Sequence, residues 1–193
     1  MLRIVILPGV GFHTDEDEHT SRLMKTLRRE FNGLVSYCNW NHKFKQPDIS
    51  FSKGFIKAAL RKWLAEIIFD FQQVTTNCSN LRLPEADVYI GHSAGSLLAL
   101  KQDKPAIIFG SPAAIVGKMN FDASIQLTSG HPILNIINKK DPIAYPLPYN
   151  YIDNRYVKFG LTSVKCHTGY WDNRKVVNEI VTWIKYQQVT GKI

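Results

Sequence analysis

The chain is short of cysteine, has no long apolar run and no repeat, and carries too few acids to balance its bases. Each shortage removes a class of protein. Three cysteines in 193 residues, Cys38, Cys78 and Cys166, form no CxxC pair and have no metal-ligand spacing. Neither a disulfide framework nor a metal centre is expected, and the thiols read as free. The apolar start, Met1 to Leu7, is interrupted by Arg3 and closed by Pro8-Gly9. It is too short for a secretory signal core or a membrane span, so a soluble, cytoplasmic protein is expected. No low-complexity tract or linker divides the sequence, and the length suits a single domain over 1–193. No complete nucleotide-binding glycine pattern occurs either. Pro8-Gly9-Val10-Gly11 lacks the rest of a dinucleotide fingerprint, and no Gly-Lys-Ser/Thr follows it. No cofactor is implied.

Lysine and arginine number 24 against 16 aspartates and glutamates, a formal charge of +8. Such an excess suits a polyanion when it is gathered on one face, because each neutralised phosphate adds affinity. Here the bases are spread along the chain. The densest stretch, 41–62, has Lys43, Lys45, Lys53, Lys57, Arg61 and Lys62 against Asp48 alone and reads as a solvated helix face. Nucleic acid is not an expected partner. Apolar residues at 45% and charged residues at 21% are ordinary for a globular protein.

What is present is an alternation of short apolar runs with longer amphipathic ones. Leu2 to Leu7 reads as a buried strand ending at a Pro-Gly turn. A helix follows it and ends near Phe31 and Asn32, with Leu23, Met24, Leu27 and Phe31 on one face and Gly33 as its stop. Leu34 to Trp40 reads as a second strand and Lys53 to Gln73 as a long helix. Further strands are expected at Asp87 to Ile90, Ala106 to Phe109 and Ile133 to Asn138, and a sixth between Tyr156 and Cys166. Helices are expected after Ser93 and over Asn173 to Gln188. This order predicts an α/β fold with a mostly parallel sheet of about six strands and helices on both faces. Sites in such sheets gather at the carboxyl ends of the strands.

Gly91-His92-Ser93-Ala94-Gly95 lies directly between an apolar strand and the helical run Ser96 to Leu100. A serine hydroxyl is a weak nucleophile until a base takes its proton, and a sharp strand-to-helix turn projects it toward one. Small neighbours are needed because backbone crosses backbone there. An acid and then a histidine should follow in the chain. Asp141, in Asn138-Lys139-Lys140-Asp141-Pro142 just past a strand, is the candidate acid, with Asp122, Asp153 and Asp172 less well placed. His167, in Lys165-Cys166-His167-Thr168-Gly169, lies after the last strand and before the final helix and is the candidate base. His13, His19 and His42 precede Ser93, His92 lies inside the turn and is expected to point away from the cleft, and His131 precedes the acid. A developing oxyanion needs two fixed donors. The backbone N–H of Ala94 is one candidate. Val10, in the loop after the first strand, is the other, with Gly11 next in order.

These residues resemble the α/β-hydrolase superfamily over nearly the whole chain. Two stretches resemble the fungal-type class 3 lipases: the pentapeptide with Phe109-Gly110-Ser111-Pro112, and Asp141-Pro142-Ile143 followed by His167. Ser96 and Ala94 depart from that group, which commonly has a glycine and a larger residue there. The resemblance implies a serine hydrolase that cleaves carboxylic esters through a Ser93, Asp141, His167 triad and an acyl-enzyme, with a small-molecule ester as substrate. Thioesterase, peptidase or acyltransferase chemistry on the same machinery remains open, as does a catalytically silent binding protein. The cleft rim is expected in 41–52, 117–131 and 142–155, with Tyr145, Tyr149, Tyr151, Tyr170 and Trp171 as candidate lining of an acyl pocket.

Overall fold

A computed structural model describes residues 1–9, 21–38, 40, 81–118 and 130–193. The expected helix over 53–73, the basic stretch 41–62, Cys78, Asp122, His13, His19 and His42 lie outside the described residues. In chain order the elements are β1 (Arg3–Leu7), α1 (Arg22–Glu30), β2 (Leu34–Tyr37), β3 (Val88–His92), α2 (Ala94–Lys101), β4 (Ala106–Phe109), α3 (Ala113–Lys118), β5 (Ile133–Asn138), β6 (Ile152–Val157), α4 (Ser163–Thr168) and α5 (Arg174–Val189). The six strands form one sheet in the order β2-β1-β3-β4-β5-β6, and every pairing is parallel. The protein is therefore of the α/β class.

Alternation along the strands divides the core between the two faces of the sheet. Ile4, Ile6, Val88, Ile90, Ile107, Phe109, Leu134 and Ile136 share one apolar cluster with α1 and α5. Val5, Leu7, Tyr89, Ala106, Ile108 and Ile133 share the other with α2. Strands buried on both faces read as continuous apolar runs rather than alternating ones, which is why β4 and β5 occupy the residues expected for them. α1 and α5 are tied by a Lys185–Glu30 ion pair of 2.8 Å, and Leu23 N at the start of α1 donates to Trp171 O, in the turn before α5, at 3.0 Å. Among the described residues no helix is long and apolar enough to cross a membrane.

The sixth strand corrects the expectation. It runs over Ile152–Val157, not between Tyr156 and Cys166, and is buried only at its ends. It is an edge strand, paired to β5 alone, so its middle is polar and only partly covered. An apolar-run reading passes over Asp153-Asn154-Arg155 for that reason; of the residues expected as strand only Tyr156 and Val157 belong to β6, and the rest form a loop and the start of α4. The segment 142–155, expected to be open rim, is in part packed down: Ile143, Ala144 and Leu147 are buried.

The chain reverses direction across the sheet between β1 and β3, a topological switch point, beyond whose carboxyl end ligands bind in sheets of this kind. At the amino end the same pair of strands is pinned by charge. Asp87 accepts from Arg3 N at 2.7 Å and from the Arg3 guanidinium at 2.9 Å. The hydrogen bond from the Arg3 side chain holds the Asp87 carboxyl below its ordinary range, against a smaller opposing effect of burial. A depressed carboxylate stabilises the fold above its unfolded pKa and stops doing so as pH falls through its folded value. Asp87→Asn should thus cost about 1 kcal/mol at neutral pH, with the difference shrinking below about pH 4. Urea unfolding of both proteins at pH 7 and pH 3 measures it.

Candidate active site

Ser93 follows β3 directly and is the N-cap of α2, with φ 51° and ψ −123°. Among the described residues it is the one non-glycine with positive φ, a conformation that costs a side-chain-bearing residue about 1–3 kcal/mol. Its neighbours account for the turn. A Cβ on Gly91 would lie 2.5 Å from Ser96 Cα, and one on Gly95 would collide with the carbonyl oxygens of Leu7 and Pro8. Ser96 N and Ser96 Oγ both donate to Ser93 O, at 3.0 and 2.5 Å, and Ser96 Oγ meets Ser111 Oγ at 2.7 Å. The turn is thereby tied to the loop after β4.

An N-cap serine ordinarily turns its hydroxyl back onto the helix. Ser93 makes no such bond. Its Oγ lies 3.0 Å from His167 Nε2, and His167 Nδ1 lies 2.8 Å from Asp141 Oδ2. Asp141 Oδ1 accepts from Ile143 N at 3.1 Å, as an aspartate in a turn before proline commonly does. All three side chains are buried, with residue exposures of 7%, 8% and 5% for Ser93, His167 and Asp141. The structure thus brings together the three residues singled out from the sequence. His167 sits in α4, a helix the sequence reading did not anticipate. Water is largely excluded from this series, so its hydrogen bonds act in a low dielectric.

The remaining candidates have other partners. Asp172 is exposed and accepts from Arg22 N at 2.8 Å, at the start of α1. Asp153 pairs with Arg155 at 2.7 Å. His131 faces Asp103 at 3.5 Å. Ala94 begins α2 immediately after Ser93, so its N–H belongs to the first helical turn, whose donors have no partner within the helix. Val10 and Gly11 lie outside the described residues. Gly9 is described, and a Cβ there would sit 2.8 Å from Ser93 Cβ. The loop after β1 therefore passes against the serine.

Three further residues hold the site together: Asn138 and His92, which were not expected to support it, and Tyr170, which was expected only as pocket lining. Asn138, fully buried, donates through Nδ2 to Cys166 O at 2.8 Å and Phe159 O at 3.1 Å, while its carbonyl accepts from Asp141 N at 2.9 Å. It joins the turn of the acid to the helix of the base. A polar residue closing the apolar run Ile136-Ile137 is the one signal in the sequence that could have found it. His92 is buried behind the base, its Nε2 donating to His167 O at 2.9 Å and its ring 4.9 Å from that of His167. Tyr170, expected to line an acyl pocket, is instead fully buried. Its hydroxyl donates to Asp141 Oδ2 at 3.1 Å and accepts from Asn138 N at 2.9 Å. Burial, reinforced by the Asp141 charge, pushes the phenol far above its ordinary pKa. Trp171 is likewise core, packed edge-on to Phe109 at 5.2 Å. Their aromatic character is used for packing rather than for a pocket, because the polypeptide just beyond α4 dives between the sheet and α5.

No protein-family model and no curated protein sequence matches the chain. Among the described residues no group of three histidine, cysteine or acidic side chains is arranged to hold a metal ion, and the buried Cys166 is a free thiol. A cleft of about 830 Å³ lies between the starts of β5 and β6 and the second half of α5, bordered by His131, Tyr151, Arg155, Glu179, Trp183 and Tyr186. It opens at the amino ends of the strands, whereas Ser93 lies at the carboxyl ends, so it is separate from the hydroxyl–imidazole–carboxylate series.

Gly110, with φ 57°, packs under the base: a Cβ there would lie 3.1 Å from both His167 Cε1 and Tyr170 Cε2. Gly110→Ala should lower stability by about 1–2 kcal/mol through the left-handed backbone alone. It should also push the imidazole away from Ser93. Thermal unfolding measures the first effect, and a crystal structure of the variant, with the Ser93–His167 hydrogen bond broken, the second.

Proposed function

We propose that the protein is a serine hydrolase of the α/β-hydrolase fold that cleaves carboxylic esters through an acyl-enzyme. The observation that carries this reading is a serine held at positive φ beyond a central strand, with its hydroxyl turned away from its own helix and onto an imidazole that a buried carboxylate orients. A solvated or purely structural serine has no use for that geometry. The chain order serine, acid, histidine, after β3, β5 and β6, adds support from topology.

In this reading His167 Nε2 takes the Ser93 proton as Oγ attacks the ester carbonyl, and Asp141 fixes the Nδ1–H tautomer and balances the imidazolium charge. The tetrahedral oxyanion is met by Ala94 N–H and by Val10 N–H, the second donor being favoured by the close passage of Gly9 against Ser93. Collapse of the intermediate expels the alcohol, which takes the proton from His167. Water then attacks the acyl-enzyme by the same route in reverse. A thioester or an amide uses identical steps, so the ester preference rests on the resemblance to lipase motifs and is decided by substrate.

A fluorophosphonate probe should label Ser93 stoichiometrically, with Ser93→Ala unlabelled, as read by mapping the modified peptide. Labelling at another serine, or none in folded protein, sinks the assignment, and the absence of labelling leaves the catalytically silent binding protein in its place. Across p-nitrophenyl esters from acetate to palmitate, kcat/KM should be highest at short to medium chains, because the segment after Asp141 packs down and Tyr170 and Trp171 line no acyl pocket. Each methylene is worth only about 1–3 kcal/mol in an apolar pocket, so the fall toward palmitate should be graded. A steady rise to palmitate would identify a lipase, and turnover of a peptide amide alone a peptidase.

A further inference from the structure

We infer that Tyr170 is a fourth member of the hydrogen-bonded series, a positioning residue that acts through Asp141 to set the basicity of His167. The inference rests on the serine-hydrolase reading for its consequence in catalysis, but its geometry stands independently. The backbone N–H of Asn138 can only donate, so at 2.9 Å the phenol oxygen accepts there. Its single proton is therefore directed to Asp141 Oδ2, 3.1 Å away. That same oxygen accepts a hydrogen bond from His167 Nδ1–H at 2.8 Å. Two donors thus share one carboxylate oxygen, while Asp141 Oδ1 is occupied by Ile143 N–H.

Sharing has a direction. Charge that the phenol draws from Oδ2 is no longer available to stabilise the imidazolium, so the hydroxyl opposes what Asp141 contributes to it. A base is useful only in its neutral form, and this widens the range over which His167 can accept the Ser93 proton. The phenol suits the task because burial keeps it protonated throughout that range. Its ring is fixed against Phe109 at 5.4 Å and Phe159 at 4.9 Å, so the hydroxyl has no other place to turn. The other titratable groups around the imidazole are His92 on β3, with its ring 4.9 Å away, and Cys166 on α4, whose Sγ donates to Phe159 O. Lys139 and Lys140, next to Asp141 in the chain, are exposed. None of these donates to the carboxylate.

The test is an NMR titration of the His167 imidazole, which needs no turnover, in native protein, in Tyr170→Phe, and in protein carrying 3-fluorotyrosine at position 170. Loss of the hydroxyl should make His167 titrate about half to one pH unit higher, whereas the more acidic fluorinated phenol should make it titrate lower. The acidic limb of kcat/KM for an ester should move the same way in each. If Tyr170→Phe fails to fold, the fluorinated protein, which keeps the hydroxyl and both hydrogen bonds, decides the matter alone. An unchanged titration, or a shift to higher pH with the fluorinated phenol, overturns the role. Fluorophosphonate reactivity of the native protein separates the two failures. If Ser93 does not react, the hydrolase reading falls whatever the imidazole does; if it reacts and the titration is unmoved, only the role of Tyr170 falls.

Discussion

Ser93 occupies a backbone conformation that its own side chain disfavours, and the arrangement of the site follows from that single residue. The turn can form only because Gly91 and Gly95 let α2 approach the sheet to a distance at which any Cβ would collide with backbone. Closeness of that kind fixes three things together: the loop after β1 must bring a glycine, Gly9, beside the serine, α2 must start without the usual hydroxyl cap, and Oγ must find a partner elsewhere. The local cost of about 1–3 kcal/mol is small beside the burial of the strands on either side, each Ile or Leu contributing about 1.5–3 kcal/mol. The surrounding core over-determines the turn, and the strain persists because nothing can relax without unpacking the sheet.

The other half of the site is a matter of polar groups buried in an apolar setting. Asp141 and His167 come from segments 26 residues apart, and neither segment is held by apolar packing alone. Asn138 does the joining. Its amide and backbone reach Cys166, Phe159, Tyr170 and Asp141, so that the turn after β5 and the helix after β6 form one rigid unit. A buried amide with its groups satisfied stabilises modestly but specifies position strongly, since a shift of either segment would leave donors unpaired at about 1–3 kcal/mol each. His92 and Tyr170 extend the same principle to the ring and the carboxylate.

The asymmetry of the sheet explains where chemistry and surface divide. Central strands β1, β3, β4 and β5 are covered by helices or strands on all sides and end at the carboxyl edge in residues of the site. The edge strand β6 carries instead an exposed ion pair, Asp153 with Arg155, of the kind that discourages pairing with another chain. Polar residues within this one sheet therefore have two meanings. At Asp153 and Arg155 on β6 they mark solvent, whereas Asn154 between them bonds Asn135 and Leu147. At Asn135 and Asn138 on β5 they mark buried hydrogen bonds.

What the sequence determined by itself was whatever is encoded locally. The apolar runs of β4 and β5, the helical periodicity of α1 and α5, and the small residues flanking Ser93 each act within a few positions of chain, so their elements stand where pattern and turn chemistry put them. Asp141 and His167 were legible as well, because their positions after particular strands follow from an alternating order. Tertiary structure alone decided the rest. β6 is polar in its middle because it is an edge, and edge position is set by the order of strands in the sheet, which no short window of sequence carries. Tyr170 and Trp171 read as pocket lining by composition and became core because the chain beyond α4 turns inward. Asn138, His92 and Tyr170 join the site through hydrogen bonds whose partners lie 21 to 75 residues away, and contacts of that range exist only once the sheet has formed.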